Sequence, residues 1–132
     1  MDSHEQEVRN WSMFCHLSAL AGLIIPLGNI LGPLIVWQIK KNELPEINPH
    51  GKESLNFQLT LLVISIIFSF FLFSSLGYSS LTGNLFALFA GGMGLGLLLS
   101  LIWLTSWILV VIAAIRANNG EFFKYPCIRF FR

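Results

Sequence analysis

The feature that most constrains this chain is a run without charged residues from residue 54 through residue 115. A helix needs about 20 apolar residues to cross the hydrocarbon core of a bilayer, so this run is long enough for two crossings. A stretch rich in Gly, Ser and Asn at 77–84 divides the run, as expected of a loop. The pattern predicts a third helix at 53–76, a loop at 77–85 and a fourth helix at 86–116.

The composition supports lipid as the solvent for most of this chain. Hydrophobic residues make up 55% of the 132 residues and charged residues only 11%, against roughly 25% charged in soluble proteins. A soluble domain of this size could not bury so much apolar surface. We therefore expect a single membrane domain over 1–132. The net charge of +1 argues against a nucleic-acid partner.

A second run without charges, from residue 10 through residue 39, is interrupted by turn-forming residues. Proline removes a backbone donor and clashes with the preceding helical turn, and glycine and asparagine favour turns. The pattern predicts a short hairpin at 11–39, and the alternative is one kinked span. The predicted turn residues are Pro26, Gly28, Asn29, Gly32 and Pro33.

The placement of basic residues predicts the topology. With four spans, all eight basic residues fall in the polar N-terminal segment (1–10), the loop at 40–52, or the end of the fourth helix and the tail at 117–132. The two turns on the opposite side carry no charge. The positive-inside rule then places both termini in the cytoplasm. The predicted fold is an all-α, integral membrane four-helix bundle with a short hairpin followed by two longer spans.

Small and polar residues indicate how the helices contact one another and the membrane surface. Membrane helices associate through small residues and interhelical hydrogen bonds, so the four-residue spacing of Gly92, Gly96 and Ser100 predicts a packing groove on the fourth helix. Aromatic and basic side chains favour the headgroup layer. The predicted interface anchors are Trp11, Trp37, Tyr125 and Arg129.

The segment NPHGKESLNFQ, residues 48–58, concentrates polar side chains immediately before the third helix. Asn48 suits an N-cap and Pro49 the first helical position, so the segment predicts a helix start at the cytoplasmic surface. His16 is an ionisable residue within a predicted span, and such residues are functional candidates. The candidate functional polar residues are His16, His50, Lys52, Glu53, Asn56 and Gln58.

Several of these motifs resemble a bacterial family of small membrane proteins similar to the twenty-kilodalton subunit of the chloroplast inner-envelope Tic translocon. The resemblance covers about 11–131 and includes His-Leu-Ser at 16–18, Gly-Pro-Leu at 32–34 and HGKESLNFQ at 50–58. It implies four helices with both termini on one side of the bacterial cytoplasmic membrane. It also implies a link to protein translocation.

No catalytic, metal-binding or cofactor-binding motif is present in the sequence, so we expect a protein that is not an enzyme. The predicted function is a scaffold or accessory factor in protein translocation or envelope maintenance. The alternative is a homo-oligomeric channel or transporter for ions or small solutes, because helices broken by Pro and Gly can form a site near the membrane midplane. The expected partners are the lipid bilayer and other membrane proteins or further copies of the chain.

Overall fold

The computed structural model of the chain describes residues 2–132. Four α-helices follow one another: α1 (Ser3–Leu17), α2 (Gly28–Lys40), α3 (Asn48–Thr82) and α4 (Leu85–Asn118). Two 3₁₀ segments, Ser18–Leu23 and Pro45–Ile47, precede α2 and α3. No strand forms within the described residues. The prediction of an all-α fold with four helices is confirmed.

The chain forms two compact units. The first unit contains the residues up to Thr60 together with Trp107–Arg132, and the second unit is Leu61–Ser106. The first unit therefore includes α1, α2, the beginning of α3, the end of α4 and the residues after α4. The second unit consists of the rest of α3, a two-residue turn and the first part of α4.

Helix α1 begins within the polar segment 1–10, for which no helix was predicted. The Asp2 carboxylate caps the helix by accepting a hydrogen bond of 2.7 Å from the Glu5 amide. Glu5 also pairs with Arg9 one helical turn later. Capping and such i,i+4 pairs stabilise a helix end in water, which explains how charged residues extend α1.

Helix α3 is longer than the predicted 53–76, because it begins at Asn48 and continues through most of the predicted loop to Thr82. Hydroxyl groups in this region bond to carbonyl groups four residues earlier: Ser79 donates to Ser75 and Thr82 to Tyr78. Their polar groups are thus satisfied without leaving the helix. The connection to α4 is reduced to residues 83 and 84.

The 3₁₀ segment Ser18–Leu23 and α2 form a hairpin, and its turn is shorter than predicted. The reversal occupies residues 24–27 and includes Pro26, whereas the other predicted turn residues lie inside α2: Gly28, Asn29, Gly32 and Pro33. Gly32 is needed for close packing rather than for a turn, because a Cβ there would collide with the Ser18 carbonyl oxygen. A Cβ on Gly28 would come within 2.5 Å of the Ala21 carbonyl oxygen. We call the segment Ser18–Lys40 the short hairpin.

The core of the first unit lies where α1, α2 and the start of α3 meet. Burial of apolar side chains in this core removes them from water or headgroups and stabilises the unit. The buried cluster consists of Cys15, Trp37, Leu44, Ile47 and Leu55. Partly buried residues on α1 and α2, among them Val8, Trp11 and Leu34, pack around it.

The second unit has two apolar arms whose side chains are mostly exposed. Two helices are long and apolar enough to cross a membrane, Pro45–Thr82 and Leu85–Asn118, counting the 3₁₀ turn before α3. Only 11% and 22% of their most apolar windows are buried, whereas a core helix of a soluble protein would be mostly buried. The exposed apolar surface of these arms suits a lipid environment.

Among the glycines of α4, the tightest contact with α3 is at Gly91 rather than at the predicted groove residues Gly92 and Gly96. The close approach is at Gly91, where a Cβ would collide with the Ser75 hydroxyl. At Gly92 a Cβ would be in ordinary contact, 3.5 Å from Leu76, and at Gly96 nothing lies within 4 Å. Ser100 is exposed and its hydroxyl bonds to the Gly96 carbonyl in the same helix. The repeat of small residues therefore faces open space at Gly96 and Ser100.

Candidate functional site

The polar beginning of α3 is buried on both of its faces within the first unit. Four uncharged polar side chains and one carboxylate there are at least nine-tenths buried: Glu53, Ser54, Asn56, Gln58 and Thr60. Buried polar groups require hydrogen-bond partners, because losing water without replacement costs free energy. For most of these residues the partners come from the short hairpin on one side. On the other side they come from the residues after α4, 119–132, which are called the tail from here on.

The tail has no regular secondary structure and is held against α3 mainly through its backbone. Asn56 accepts a hydrogen bond from the Phe131 amide at 2.7 Å and donates one to the Phe131 carbonyl at 2.9 Å. The Thr60 hydroxyl accepts from the Ile128 amide at 2.9 Å. Lys52 donates to the carbonyl of Arg132 at 3.0 Å. These side chains, spaced along one face of α3, satisfy a segment that has no helix or strand of its own.

Glu53 is the charged centre of this contact. One carboxylate oxygen accepts a hydrogen bond of 2.6 Å from the Tyr125 amide, and the other forms a salt bridge with Arg129. The Glu53 side chain is almost fully buried, whereas about a third of the Arg129 side chain is exposed. Arg129 also donates to the Tyr125 carbonyl. A buried carboxylate is tolerated here because a guanidinium and an amide replace its water.

A second buried network connects α1, α3 and the tail through three rings. His16 has Nδ1 3.0 Å from the Tyr125 hydroxyl and Nε2 3.1 Å from Nδ1 of His50. The bonds are satisfied when Tyr125 donates to His16 and His16 donates to His50, which leaves the remaining N–H of His50 free. Tyr125 also stacks on Phe57, with ring centroids 4.2 Å apart.

The electrostatic surroundings keep the Tyr125 hydroxyl protonated. Burial raises the pKa of Tyr125 strongly, and the nearby Glu53 charge raises it further. A protonated phenol can act as the donor in the bond to His16. Burial also raises the pKa of the Cys127 thiol, with a smaller contribution from Glu53. Cys127 and Cys15 are both free thiols.

The opposite face of α3 contacts α2. The Asn29 side-chain nitrogen donates to the side-chain oxygen Oε1 of Gln58 at 3.1 Å. The Trp37 indole donates to the Asn48 side chain at 2.7 Å. Asn48 was predicted to cap α3, and its side-chain oxygen instead holds Trp37. Asn48 and Gln58 therefore join α3 to α2.

The residues predicted to be interface anchors have different locations. Trp37 and Tyr125 are buried in the first unit, so their side chains are covered by the protein itself. Arg129 pairs with Glu53. Trp11 is partly exposed, and Lys40 lies 5.2 Å above its ring. Aromatic and basic residues can also belong to a folded core, which composition alone cannot distinguish from an interfacial tail.

The sequence reasoning missed Thr60 and the tail as parts of the same site. Three buried hydroxyls, those of Ser12, Ser18 and Ser54, have no hydrogen-bond partner among the described residues. A signal for the tail contact was present in the sequence. Asn56 and Thr60 lie on the opposite face of α3 from Ser54 and Gln58, and polar residues on two faces of an apolar helix require partners on both.

The residues that form this site lie almost entirely within a segment that matches one protein family. The chain matches the model of the magnetosome magnetite crystal formation protein family over residues 7–131. The chain belongs to this family. The match to the magnetosome crystal formation family includes all four helices almost completely and most of the tail. No curated protein and no solved structure shows a significant match to the chain.

Membership of the magnetosome crystal formation family corrects the functional expectations from sequence. The resemblance to the Tic subunit was wrong, and so was the link to protein translocation. The alternative of a channel or transporter gains no support from this family either. The motifs behind the resemblance, such as His-Leu-Ser at 16–18 and HGKESLNFQ at 50–58, fall within the segment matched by the magnetosome family.

Proposed function

We propose that this chain is a non-enzymatic integral membrane protein that contributes to magnetosome magnetite crystal formation. The family match over residues 7–131 is the observation that carries this proposal. The match extends through both units, so it concerns the fold as a whole. The role in crystal formation comes from the description of the family.

The second unit supports a placement across a membrane. Its arms, 61–82 and 85–106, contain 22 residues each, and at 1.5 Å per residue each is about 33 Å long. The hydrocarbon core of a bilayer is about 30 Å thick. Because both arms are uncharged and largely exposed, we assign them as two transmembrane segments.

The charge distribution supports a cytoplasmic location for both ends of the chain. All eight basic residues lie outside 61–106, either before the first transmembrane segment or after the second. The positive-inside rule favours the cytoplasm for such flanks. Two transmembrane segments keep both flanks on the same side, as the four-span prediction also required.

The contacts of the polar residues support a structural role. Glu53, Asn56 and Thr60 all bind the tail, and His16 bonds to Tyr125 and His50. Side chains whose donors and acceptors are used within the fold hold its parts together. We therefore propose that the first unit presents a fixed surface to lipid and to other membrane proteins or further copies of the chain.

Deleting the gene in its source organism tests this function. We expect fewer or smaller magnetite crystals by electron microscopy, and recovery when the intact gene is returned. A variant with a weakened tail contact, Asn56→Asp, should restore crystals less well than Asn118→Asp, which makes the same chemical change at an exposed position. Crystals of unchanged number and size in the deletion strain would contradict the proposal, as would a source organism that forms no magnetite.

A further inference from the structure

The turn of the short hairpin, residues 23–27, is an apolar tip that the other described residues of the first unit leave exposed. Ile24 is 87% exposed, and Leu23, Ile25 and Leu27 are each more than half exposed. Exposed apolar residues continue along α2 at four-residue spacing, at Leu31, Ile35 and Ile39. We call these three residues of α2 the stripe. The tip and the stripe follow one another along the hairpin and together form an exposed apolar surface, which marks an interaction site.

The backbone of the tip is suited to a medium without water. In lipid, backbone donors must find partners within the protein. The amides of Ile24 and Ile25 donate to the Ala21 carbonyl, and the amide of Gly28 donates to Ile25. The amides of residues 30 and 31 donate to the Leu27 carbonyl. Pro26 has no amide hydrogen. The turn thus pairs most of its donors within itself.

The other end of the short hairpin has the composition of a headgroup layer. Lys40 lies over the ring of the partly exposed Trp11 at 5.2 Å, and a second lysine, Lys41, follows it in the sequence. Lys40 also pairs with Glu7 and Glu43. Tryptophan and lysine are typical of the boundary between lipid and water. The hairpin therefore has one charged end and one apolar end.

The short hairpin cannot reach across a bilayer. Helix α2 has 13 residues and is about 20 Å long, well short of the hydrocarbon thickness of about 30 Å. Asn29, next to the tip, bonds to Gln58, only five residues after the charged Glu53 on α3. Helix α3 then continues as an uncharged helix to Thr82. If the tip reached the far surface of the membrane, the uncharged part of α3 that follows Gln58 would extend into water.

We propose that the short hairpin is a re-entrant element that enters the cytoplasmic leaflet, contacts lipid acyl chains with its tip and stripe, and returns to the same surface. The inference rests on the proposed membrane placement of the second unit. It replaces the two short spans expected from sequence with an element that crosses no membrane. The lipid contact is the function of residues 23–27 together with Leu31, Ile35 and Ile39.

Single cysteines labelled with a charged, membrane-impermeant maleimide test this inference. The background is Cys127→Ser, in which the remaining Cys15 is buried, and its labelling is subtracted as a blank. Ile24→Cys reports the tip, Glu43→Cys the cytoplasmic surface, and Thr82→Cys the far end of α3. Each variant is labelled in intact bacterial cells, in inverted membrane vesicles and after solubilisation in SDS, which shows that every thiol can react.

We expect Ile24→Cys to react only in SDS, Glu43→Cys to react in inverted vesicles, and Thr82→Cys to react in intact cells. A nitroxide on Ile24→Cys should also collide more often with oxygen than with a polar nickel chelate, because oxygen concentrates in lipid. Labelling of Ile24→Cys in intact cells would mean that the hairpin crosses the membrane, and labelling in vesicles that it lies in water. A nitroxide that neither reagent reaches would mean a protein cover. Each of these three results overturns the proposal.

The Thr82→Cys result separates this inference from the proposed function. If Thr82→Cys reacts in inverted vesicles and not in intact cells, the transmembrane assignment of the second unit fails. If it reacts as expected and Ile24→Cys does not behave as predicted, only the re-entrant hairpin fails.

Discussion

The side chain of Asn56 forms two hydrogen bonds with the backbone of a single residue of the tail, Phe131. The amide oxygen accepts from the Phe131 N–H at 2.7 Å, and the amide nitrogen donates to its carbonyl at 2.9 Å. Asn56 is buried, and the two residues are 75 positions apart in sequence. A side chain on α3 thus satisfies the backbone N–H and C=O of a tail residue that belongs to no helix or strand.

Replacing this amide by a carboxylate should release the tail. Asn56→Asp has nearly the same shape, but an ionised carboxylate cannot donate to the Phe131 carbonyl, and it also lies one turn from Glu53. We expect a loss of about 1–3 kcal/mol in the free energy of unfolding, the cost of an unsatisfied buried group. Limited trypsin digestion in detergent should cleave faster after Arg129.

Acidification provides a specific check on this mechanism. Protonation of the new carboxyl at low pH restores a donor. The thermal unfolding temperature of Asn56→Asp, measured without protease, should then approach that of the parent. Asn118→Asp, at an exposed position, serves as the control and should match the parent at every pH. Equal tail protection in Asn56→Asp and the parent at neutral pH would refute the role of this pair.

The Tyr125 hydroxyl should stabilise the first unit through His16. Tyr125→Phe keeps the stacking on Phe57 but leaves Nδ1 of buried His16 without its partner at 3.0 Å. We expect the free energy of unfolding to fall by about 1–3 kcal/mol, measured by circular dichroism in detergent. Tyr78→Phe, which changes an exposed tyrosine of the second unit, should have little effect. Equal losses for the two variants would argue against the bond.

Adding one methyl group should have opposite effects at two glycines. Gly32→Ala places Cβ against the Ser18 carbonyl and should destabilise the hairpin by about 1–3 kcal/mol through overpacking. Gly96→Ala meets nothing within 4 Å and should stabilise α4 by up to about 1 kcal/mol through helix propensity. Thermal unfolding of both variants in the same detergent measures the difference. A destabilised Gly96→Ala variant would show that another surface covers Gly96.

The contact between His4 and Glu46 should make the stability of the first unit depend on pH. The hydrogen bond to Glu46, 3.0 Å long, and then its charge raise the pKa of His4 above 6.5, and the same bond lowers the pKa of Glu46 below 4.5. The His4 contribution is complete below pH 6.5 and is lost as the pH rises through the raised pKa. The Glu46 contribution is complete above pH 4.5 and is lost as the pH falls through the lowered pKa.

An NMR titration of the His4 ring checks this prediction directly. In Glu46→Gln the pKa of His4 should return toward 6.5, because both the ionic bond and the charge are removed. Glu121→Gln removes an exposed carboxylate that is not among the groups acting on His4, and it should leave the titration unchanged. An identical His4 pKa in the parent and in Glu46→Gln would show that the contact does not persist in solution.

The helical class could be predicted from sequence because its signals are local. The absence of charge from residue 54 through residue 115 indicated two long apolar helices, and Pro26 indicated a reversal. The ends of α3 were less accessible, because Ser79 and Thr82 look like loop residues until their hydroxyls bond back to the helix. Helix boundaries depend on such individual hydrogen bonds.

The candidate site could be predicted only in part, because its contacts join distant residues. Residues 48–58 were recognised as important, but their partners Tyr125 and Arg129 were assigned to a membrane interface. Aromatic and basic residues in a tail have the same composition whether they contact lipid or fill a core. The family assignment failed for a related reason, since the motifs used for the resemblance also lie within the segment matched by another family.

The long sequence separation between α3 and the tail also sets an order of events during biosynthesis. The partners of Glu53, Asn56 and Thr60 are 68 to 76 residues downstream. At about 5–20 residues per second, a ribosome needs roughly 4–15 s to translate this interval. During this time both apolar arms emerge while three polar side chains of α3 still lack their partners. Closure of the first unit is therefore a late step, after both arms have been made available for membrane insertion.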